Sequence, residues 1–156
     1  MLNDIYNERI LRLAADIPRT ERLAHPDASA TAVSRLCGSK VTVDVTMDGD
    51  RVADYGQDVK ACALGQAPSS IMGAHVIGAT AAEVHRVGAE MRRMLKEGGP
   101  PPTGKWQDLE VLAPVRDFKA RHASTLLVFD AVEEAVEEAM KKAGTAPSPE
   151  RGGRYD

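Results

Sequence analysis

The chain has 156 residues, 43% of them hydrophobic and 28% charged, which is typical of one compact domain and excludes a wholly disordered chain. Twenty Lys and Arg against 23 Asp and Glu leave a net charge of −3, and aromatic residues make up only 4%, so no nucleic-acid partner is expected. The sequence contains no apolar run of about 18 residues and no export signal, so neither a membrane partner nor secretion is expected. Its two cysteines are then predicted to be free thiols in a reducing cytoplasm.

The first part of the chain predicts one helix followed by antiparallel strands. Apolar residues spaced three and four apart over 2–17 indicate an amphipathic helix that a proline ends. The range 29–34 is a weak strand in a polar loop. Strict alternation over 41–47 predicts a strand with one buried and one wet face, Asp44 lying on the wet face. An Asp-Gly-Asp turn follows, so 51–59 should return beside it as a hairpin.

The rest of the chain predicts helices. Pro68 fits the first turn of a helix, where its missing N–H does no harm, and Thr80 with Glu83 forms a capping box. Acidic and basic residues four apart between Glu133 and Lys142 predict a solvated face on the last helix. A loop rich in Gly and Pro separates the first two helices from the last two. The expected helices are at 66–77, from 80 onward, at 106–112 and at 121–142.

This order of elements is typical of an α+β fold. We expect an N-terminal helix, a small antiparallel sheet of about three strands, and four to five helices packed on one face. One domain should span 1–143, and the tail 144–156, rich in Pro and Gly, is predicted to be disordered.

Both cysteines flank the predicted hairpin. Cys37 lies just before its first strand and Cys62 just after its second, so the hairpin would bring both thiols to one end of the sheet. Thiolates suit zinc and iron–sulfur centres, and a helix N-terminus at Cys62 favours the thiolate form. The alternative is that both cysteines are small buried hydrophobes, and the absence of a CxxC pair leaves it open.

Among the histidines, His122 is the candidate ligand. It begins the last predicted helix, where its side chain could project to a shared site, although an exposed first-turn histidine is the alternative. His25, His75 and His85 are expected to face solvent or the core. No nucleophile elbow or other hydrolase motif is present, so the sequence does not predict an enzyme.

Taken together, these segments resemble the U-type iron–sulfur cluster assembly scaffolds, the family of IscU, the NifU N-terminal domain and SufU. The family has Cys-Gly-Asp before a strand, where this chain has Cys37-Gly38-Ser39, and later has Gly-Cys followed by small residues, where this chain has Ala61-Cys62 and a similar run. The stretch 109–131 is most similar to the SufU branch. The resemblance covers about residues 3–140 and implies the same α+β fold.

The resemblance implies a site of three cysteines and an aspartate, and this chain departs from it. Cys37 and Cys62 match two cysteines, whereas Ser39 occupies the position of the aspartate and Ser124 that of the third cysteine. Hydroxyls are poor ligands for zinc or iron, so both serines are expected to hydrogen-bond to sulfur instead. Arg121 is expected to stabilise thiolates or the negative charge of a cluster.

Three functions follow from the resemblance. The first is a scaffold or carrier that binds iron or an Fe–S cluster through Cys37 and Cys62, with His122 as a further candidate ligand; zinc or no metal are alternatives. A homodimer would give a bridging cluster four thiolates. The second is a sulfur acceptor in which Cys37 takes persulfide sulfur. The third is an interaction module without metal. The implied partners are a cysteine desulfurase and Fe–S acceptor proteins.

Overall fold

A three-stranded sheet with helices packed on one face forms the molecule. The computed structural model describes residues 6–36 and 38–144, which include two 3₁₀ segments, Gly104–Asp117 and Lys119–Arg121. The α+β class predicted from the sequence is confirmed. The remaining elements in chain order are α1 (Glu8–Ala15), β1 (Ala28–Val33), β2 (Lys40–Asp48), β3 (Arg51–Lys60), α2 (Ala63–His75), α3 (Ala81–Glu97) and α4 (His122–Lys142).

The sheet is antiparallel throughout, in the order β1-β2-β3. Val41, Val43 and Val45 are fully buried on its inner face, against which α4 packs across β1 and β2. The predicted hairpin and the weak first strand are both present. Gly49 in the hairpin turn has a φ of +64°, the left-handed conformation that glycine adopts without strain.

The outer face of the sheet is not uniformly wet, and the prediction for Asp44 was wrong. Its side chain is completely buried because the segment 19–24 crosses the strands above it. Arg22 donates to both carboxylate oxygens, over 2.7 and 2.9 Å, and the Leu23 N–H donates over 3.0 Å. The Ser29 hydroxyl donates to it as well. Alternation identifies the faces of a strand but not what covers them.

Helix α1 is shorter than predicted. It begins at Glu8 because the Asn7 side chain accepts the Ile10 N–H over 3.0 Å and caps the helix. Residues 2–5 of the predicted range lie outside the described residues, as does the tail from 145 onward.

Helix α2 begins at Ala63, three residues before the predicted start, so Pro68 lies inside the helix and not in its first turn. The predicted start was wrong because it was based on the preference of proline for the first turn of a helix. The run of small residues that begins at 61 was not used. Pro68 is buried in the core, and this packing offsets the backbone hydrogen bond that its ring removes.

The predicted short helix around 106–112 is a longer run of 3₁₀ turns from Gly104 to Asp117. Trp106, Leu109, Leu112 and Val115 are all buried and lie three residues apart. In a 3₁₀-helix residues at i and i+3 eclipse, so this spacing gives it one apolar stripe.

Helix α3 begins as predicted: the Thr80 hydroxyl accepts the Glu83 N–H over 3.0 Å. The predicted solvated face of α4 was wrong for Glu133, whose side chain is only 15% exposed and packs against Gly88 of α3. His85 Nδ1 lies 3.3 Å from Glu133 Oε1, and Arg92 lies 3.0 Å from Oε2. The lack of a Cβ at Gly88 lets the carboxylate approach α3, which sequence spacing along α4 cannot show.

The His85–Glu133 pair predicts a pH dependence of stability. The hydrogen bond to Glu133 raises the pKa of His85 above its ordinary value of 6.5. A raised folded-state pKa means that the stabilisation is complete below the unfolded-state pKa and is lost as pH rises through the folded value. Because His85 is 39% exposed, solvent screening keeps the effect below about 1 kcal/mol.

Denaturant unfolding of the natural chain and of His85→Gln checks this prediction. The variant should be less stable near about pH 5.5 and equally stable near about pH 8.5. His25→Gln, at an exposed position, is the control and should show no such difference. A stability loss that is the same at both pH values would contradict an ionic contribution.

Candidate functional site

Cys62 lies where the sheet passes into the helical layer. It follows the end of β3 by two residues and caps α2: its backbone is extended, and its carbonyl accepts the N–H groups of Gly65 and Gln66, each over 2.9 Å. The thiol is free and half-buried. A reduced sulfur is thus held at the positive end of a helix of 13 residues, where negative charge is stabilised.

The loop between β1 and β2 ends beside Cys62. The Ser34 N–H donates to the Ser39 carbonyl and the Gly38 N–H to the Ser34 carbonyl, both over 2.8 Å, which closes the loop tightly. Gly38 has a φ of +74°, so its left-handed backbone favours glycine. The register pairs Lys40 with Lys60, so Ser39 and Cys62 flank the same end of the β2–β3 hairpin. Cys37 lies outside the described residues.

Ser124 reaches the same region from α4. It is buried, and its carbonyl oxygen would lie 3.2 Å from a Cβ placed on Gly65, in the first turn of α2. The start of α4 therefore packs against the helical turn that Cys62 caps. Gly65 was not singled out from the sequence, although the run of small residues after Cys62 was the available signal for close approach.

The His122 ring is held by the 3₁₀ segment that precedes α4. His122 is buried, and its Nε2 lies 3.2 Å from the Val115 carbonyl oxygen and 3.1 Å from that of Arg116. Both partners are acceptors, so this geometry favours the tautomer with the proton on Nε2, which leaves the lone pair of the ring on Nδ1. Two residues along an α-helix correspond to a rotation of about 200°, which separates the faces of His122 and Ser124.

Arg121 is placed as a positive group beside the start of α4. Its carbonyl accepts the Thr125 hydroxyl over 2.9 Å, and its side chain is half-buried. Within residues 6–36 and 38–144, the Arg121 guanidinium forms no ion pair. Its charge adds to the positive end of the α4 dipole.

The other histidines face solvent or pack against neighbouring side chains. His75 packs edge-on against Trp106 with ring centroids 6.1 Å apart, and His25 is exposed. Across the part of the chain that the structure describes, no three His, Cys, Asp or Glu side chains are arranged to hold a metal ion. No helix in that part is long and apolar enough to cross a bilayer.

Fold and site together define a small α+β domain with a free thiol at the junction of sheet and helices. The family model described as the NifU-like N terminal domain matches residues 5–144. The chain belongs to this family, and the predicted membership of the U-type iron–sulfur cluster assembly scaffolds is confirmed.

Solved structures agree with this assignment. The N-terminal NifU-like nitrogen-fixing protein from Brucella abortus is 53% identical, with a TM-score of 0.88, covering 90% of this chain and 98% of that one. A putative scaffold protein for the SUF system from Fervidobacterium islandicum is 22% identical, with a TM-score of 0.79 and coverages of 86% and 98%. A hypothetical protein, 23% identical with a TM-score of 0.76 and the same coverages, shares the fold. No curated protein matches this chain.

Proposed function

We propose that this protein is an iron–sulfur scaffold or carrier that binds iron or an Fe–S cluster, as cargo, through the thiolates of Cys37 and Cys62. The observation that carries the proposal is the half-buried free thiol of Cys62, held at the N-terminus of α2. Thiolates are the preferred ligands of iron–sulfur clusters, and the helix dipole stabilises a bound anion.

Groups around Cys62 would assist without ligating. Ser39 and Ser124 are both buried near this end of the sheet, and their hydroxyls would hydrogen-bond to sulfur. Arg121 would offset the negative charge of a bound cluster. His122 is left out of the proposed ligand set, because the rotation of about 200° between them places it on a different face of α4 from Ser124.

Two protein thiolates leave coordination positions open, which suits a cargo that is passed on. A cysteine desulfurase would supply the sulfur, and Fe–S acceptor proteins would receive the cluster, in the cytoplasm. Because Ser39 and Ser124 replace two ligands implied by the resemblance, we expect weaker retention of cargo than a fully cysteine-ligated site would give.

The proposal is tested by anaerobic reconstitution with iron and sulfide, followed by measurement of bound iron, acid-labile sulfide and visible absorption. The natural chain should retain both elements. Cys62→Ser and Cys37→Ser should each lower bound iron at least about tenfold, because each removes one of two thiolates. His122→Gln is the matched control and should bind as the natural chain does. Circular dichroism verifies that each variant is folded.

Three outcomes would contradict a scaffold. Retention of zinc with exclusion of iron would make the site a zinc site. Sulfane sulfur transferred to Cys37 from a cysteine desulfurase, with no iron bound, would identify a sulfur acceptor. A folded protein that binds neither metal nor sulfur would be an interaction module.

A further inference from the structure

A basic cavity lies beside the start of α4. Its volume is about 500 Å³, which is in the range of pockets that hold small organic molecules. The end of α3, the two 3₁₀ segments and the first turn of α4 contribute to its walls. Among the described residues, the lining contains four basic side chains and no acidic one. The lining residues are Leu95, Lys96, Arg116, Lys119, His122 and Ala123.

The cavity concentrates positive charge. Lys96, Arg116 and Lys119 are all exposed, and none of them forms an ion pair in the part of the chain that the structure describes. Glu97 and Asp117 follow Lys96 and Arg116 in the sequence, but neither lines the cavity. Three positive side chains thus line one concave space, and a cleft lined by charge of one sign attracts ions of the opposite sign.

His122 adds a polar group that is deeply set in the cavity wall. The residue is only 7% exposed, and its Nε2 is directed to the Val115 and Arg116 carbonyl oxygens. No group in the described part of the chain hydrogen-bonds to Nδ1, yet Nδ1 is not sealed from solvent. Because the ring lines the cavity, the unpartnered Nδ1 is open to a ligand there.

The remaining walls suit an anion that carries an organic part. Helix α4 has 21 residues and begins without a side-chain cap, so the positive end of its dipole lies at His122 and Ala123. Leu95 gives the cavity an apolar wall. Positive charge, a helix N-terminus and an apolar surface thus meet in one space.

We propose that this cavity binds a small phosphate monoester, with the phosphate on Arg116 and Lys119 and the organic part against Leu95. A guanidinium group matches two oxygens of a phosphate in a bidentate fork. Phosphate monoesters have a second pKa of about 6, so near neutral pH they carry both charged and protonated oxygens. A protonated oxygen can donate to the lone pair of His122 Nδ1, and a charged oxygen can accept from a protonated ring. A carboxylate, which is ionised near neutral pH, offers only the second contact.

NMR titration of the isotopically labelled natural chain with phenyl phosphate, at constant ionic strength, tests the proposal. The amide signals of His122 and Ala123 should shift in a saturable manner. Inorganic phosphate should bind more weakly, because it lacks the organic part that contacts Leu95. Sulfate, which carries no protonated oxygen near neutral pH, should bind more weakly still. Equal binding of sulfate and inorganic phosphate would indicate an adventitious ion only and would overturn the assignment.

Variants that remove charge locate the phosphate. The double variant Arg116→Gln, Lys119→Gln should lower the affinity for phenyl phosphate at least about tenfold, because it removes two charge-assisted contacts. The matched control Arg35→Gln, Lys141→Gln removes the same two charges at exposed positions outside the cavity and should bind as the natural chain does. Circular dichroism verifies that both variants are folded. Equal losses in the two double variants, or shifts that do not saturate, would overturn the proposal.

The His122 ring gives a readout that a purely structural histidine would not. Addition of phenyl phosphate should shift the ¹⁵N signal of His122 Nδ1, whereas the ring signals of the exposed His25 should stay unchanged. An Nδ1 signal that does not move at saturating phenyl phosphate would contradict contact between this nitrogen and the ligand.

The phosphate site is separable from the proposed scaffold function. The variant Cys37→Ser, Cys62→Ser lacks both thiols of the proposed cargo site and should bind phenyl phosphate as the natural chain does. Loss of phosphate binding in this variant would overturn a separate site. The result does not depend on whether the natural chain binds iron, so either proposal can fail without the other.

Discussion

Replacing Asp44 with alanine is expected to lower the free energy of unfolding by about 3–4 kcal/mol, since removing one partner from a buried, multiply hydrogen-bonded ion pair is strongly destabilising. The carboxylate is fully buried and accepts hydrogen bonds from Arg22, the Leu23 N–H and Ser29. Arg22 is 51% exposed and can regain water in the variant, which keeps the loss from being larger. Urea unfolding, monitored by circular dichroism, measures this difference in the free energy of unfolding between the natural chain and the variant.

The Asp44 contribution should also depend on pH. Burial alone would raise the pKa of Asp44, but the hydrogen bonds from Arg22, Ser29 and the Leu23 N–H outweigh it, and the pKa lies below its ordinary value of 3.8. A lowered folded-state pKa gives stabilisation that is complete above the ordinary value and lost as pH falls through the folded value. The difference between natural chain and variant should therefore be constant at neutral pH and decline only in strong acid. Asp54→Ala, at an exposed position, is the control. A difference that declines near neutral pH would contradict this account.

Gly56→Ala is expected to lower the free energy of unfolding by about 2–3 kcal/mol, because a Cβ at this position would enter space that the backbone already occupies. Gly56 pairs with Asp44 in the β2–β3 ladder, and its missing side chain lets the Glu21 carbonyl lie directly on the strand. The Leu23 nitrogen would lie 3.2 Å from the new Cβ. The segment 19–24 must shift, which disturbs the hydrogen bond from Leu23 to Asp44.

Two comparisons test this explanation for Gly56. In Gly88→Ala the new Cβ meets the carboxylate of Glu133, the mobile end of a side chain, so the expected loss is about 1 kcal/mol. The double variant Asp44→Ala, Gly56→Ala should lose less than the sum of the single losses, because both release the same segment. Additive losses would show that the two positions act independently.

Sequence patterns predicted the elements wherever the local signal was complete. The strand predicted from alternation over 41–47 and the Thr80 capping box depend on neighbouring residues only, and both are present in the structure. Burial of Asp44 depends on a segment about twenty residues away and could not be derived from local pattern, whereas the early start of α2 agrees with the run of small residues that begins at 61.

For the candidate site, as for the elements of the fold, the sequence predicted what depends on local connectivity and missed what depends on packing. Hairpin connectivity predicted Cys37 and Cys62 at one end of the sheet; Cys62 follows β3 at the end that Ser39 also flanks, and Cys37 lies outside the described residues. The direction of His122 depends on the rotation of α4 about its axis, which is set by packing against the 3₁₀ segment and has no signal within the helix itself. The role of Gly65 could not be predicted, because the sequence does not show that the start of α4 packs against it.

The covering of Asp44 also bears on the order in which the chain folds. Asp44 lies in the central strand and Arg22 precedes it by 22 residues, so their pairing requires a sheet against which the segment 19–24 can lie. We therefore expect the ion pair to form after the transition state for folding. In that case the ion pair lowers the unfolding rate of the protein and has little influence on its folding rate.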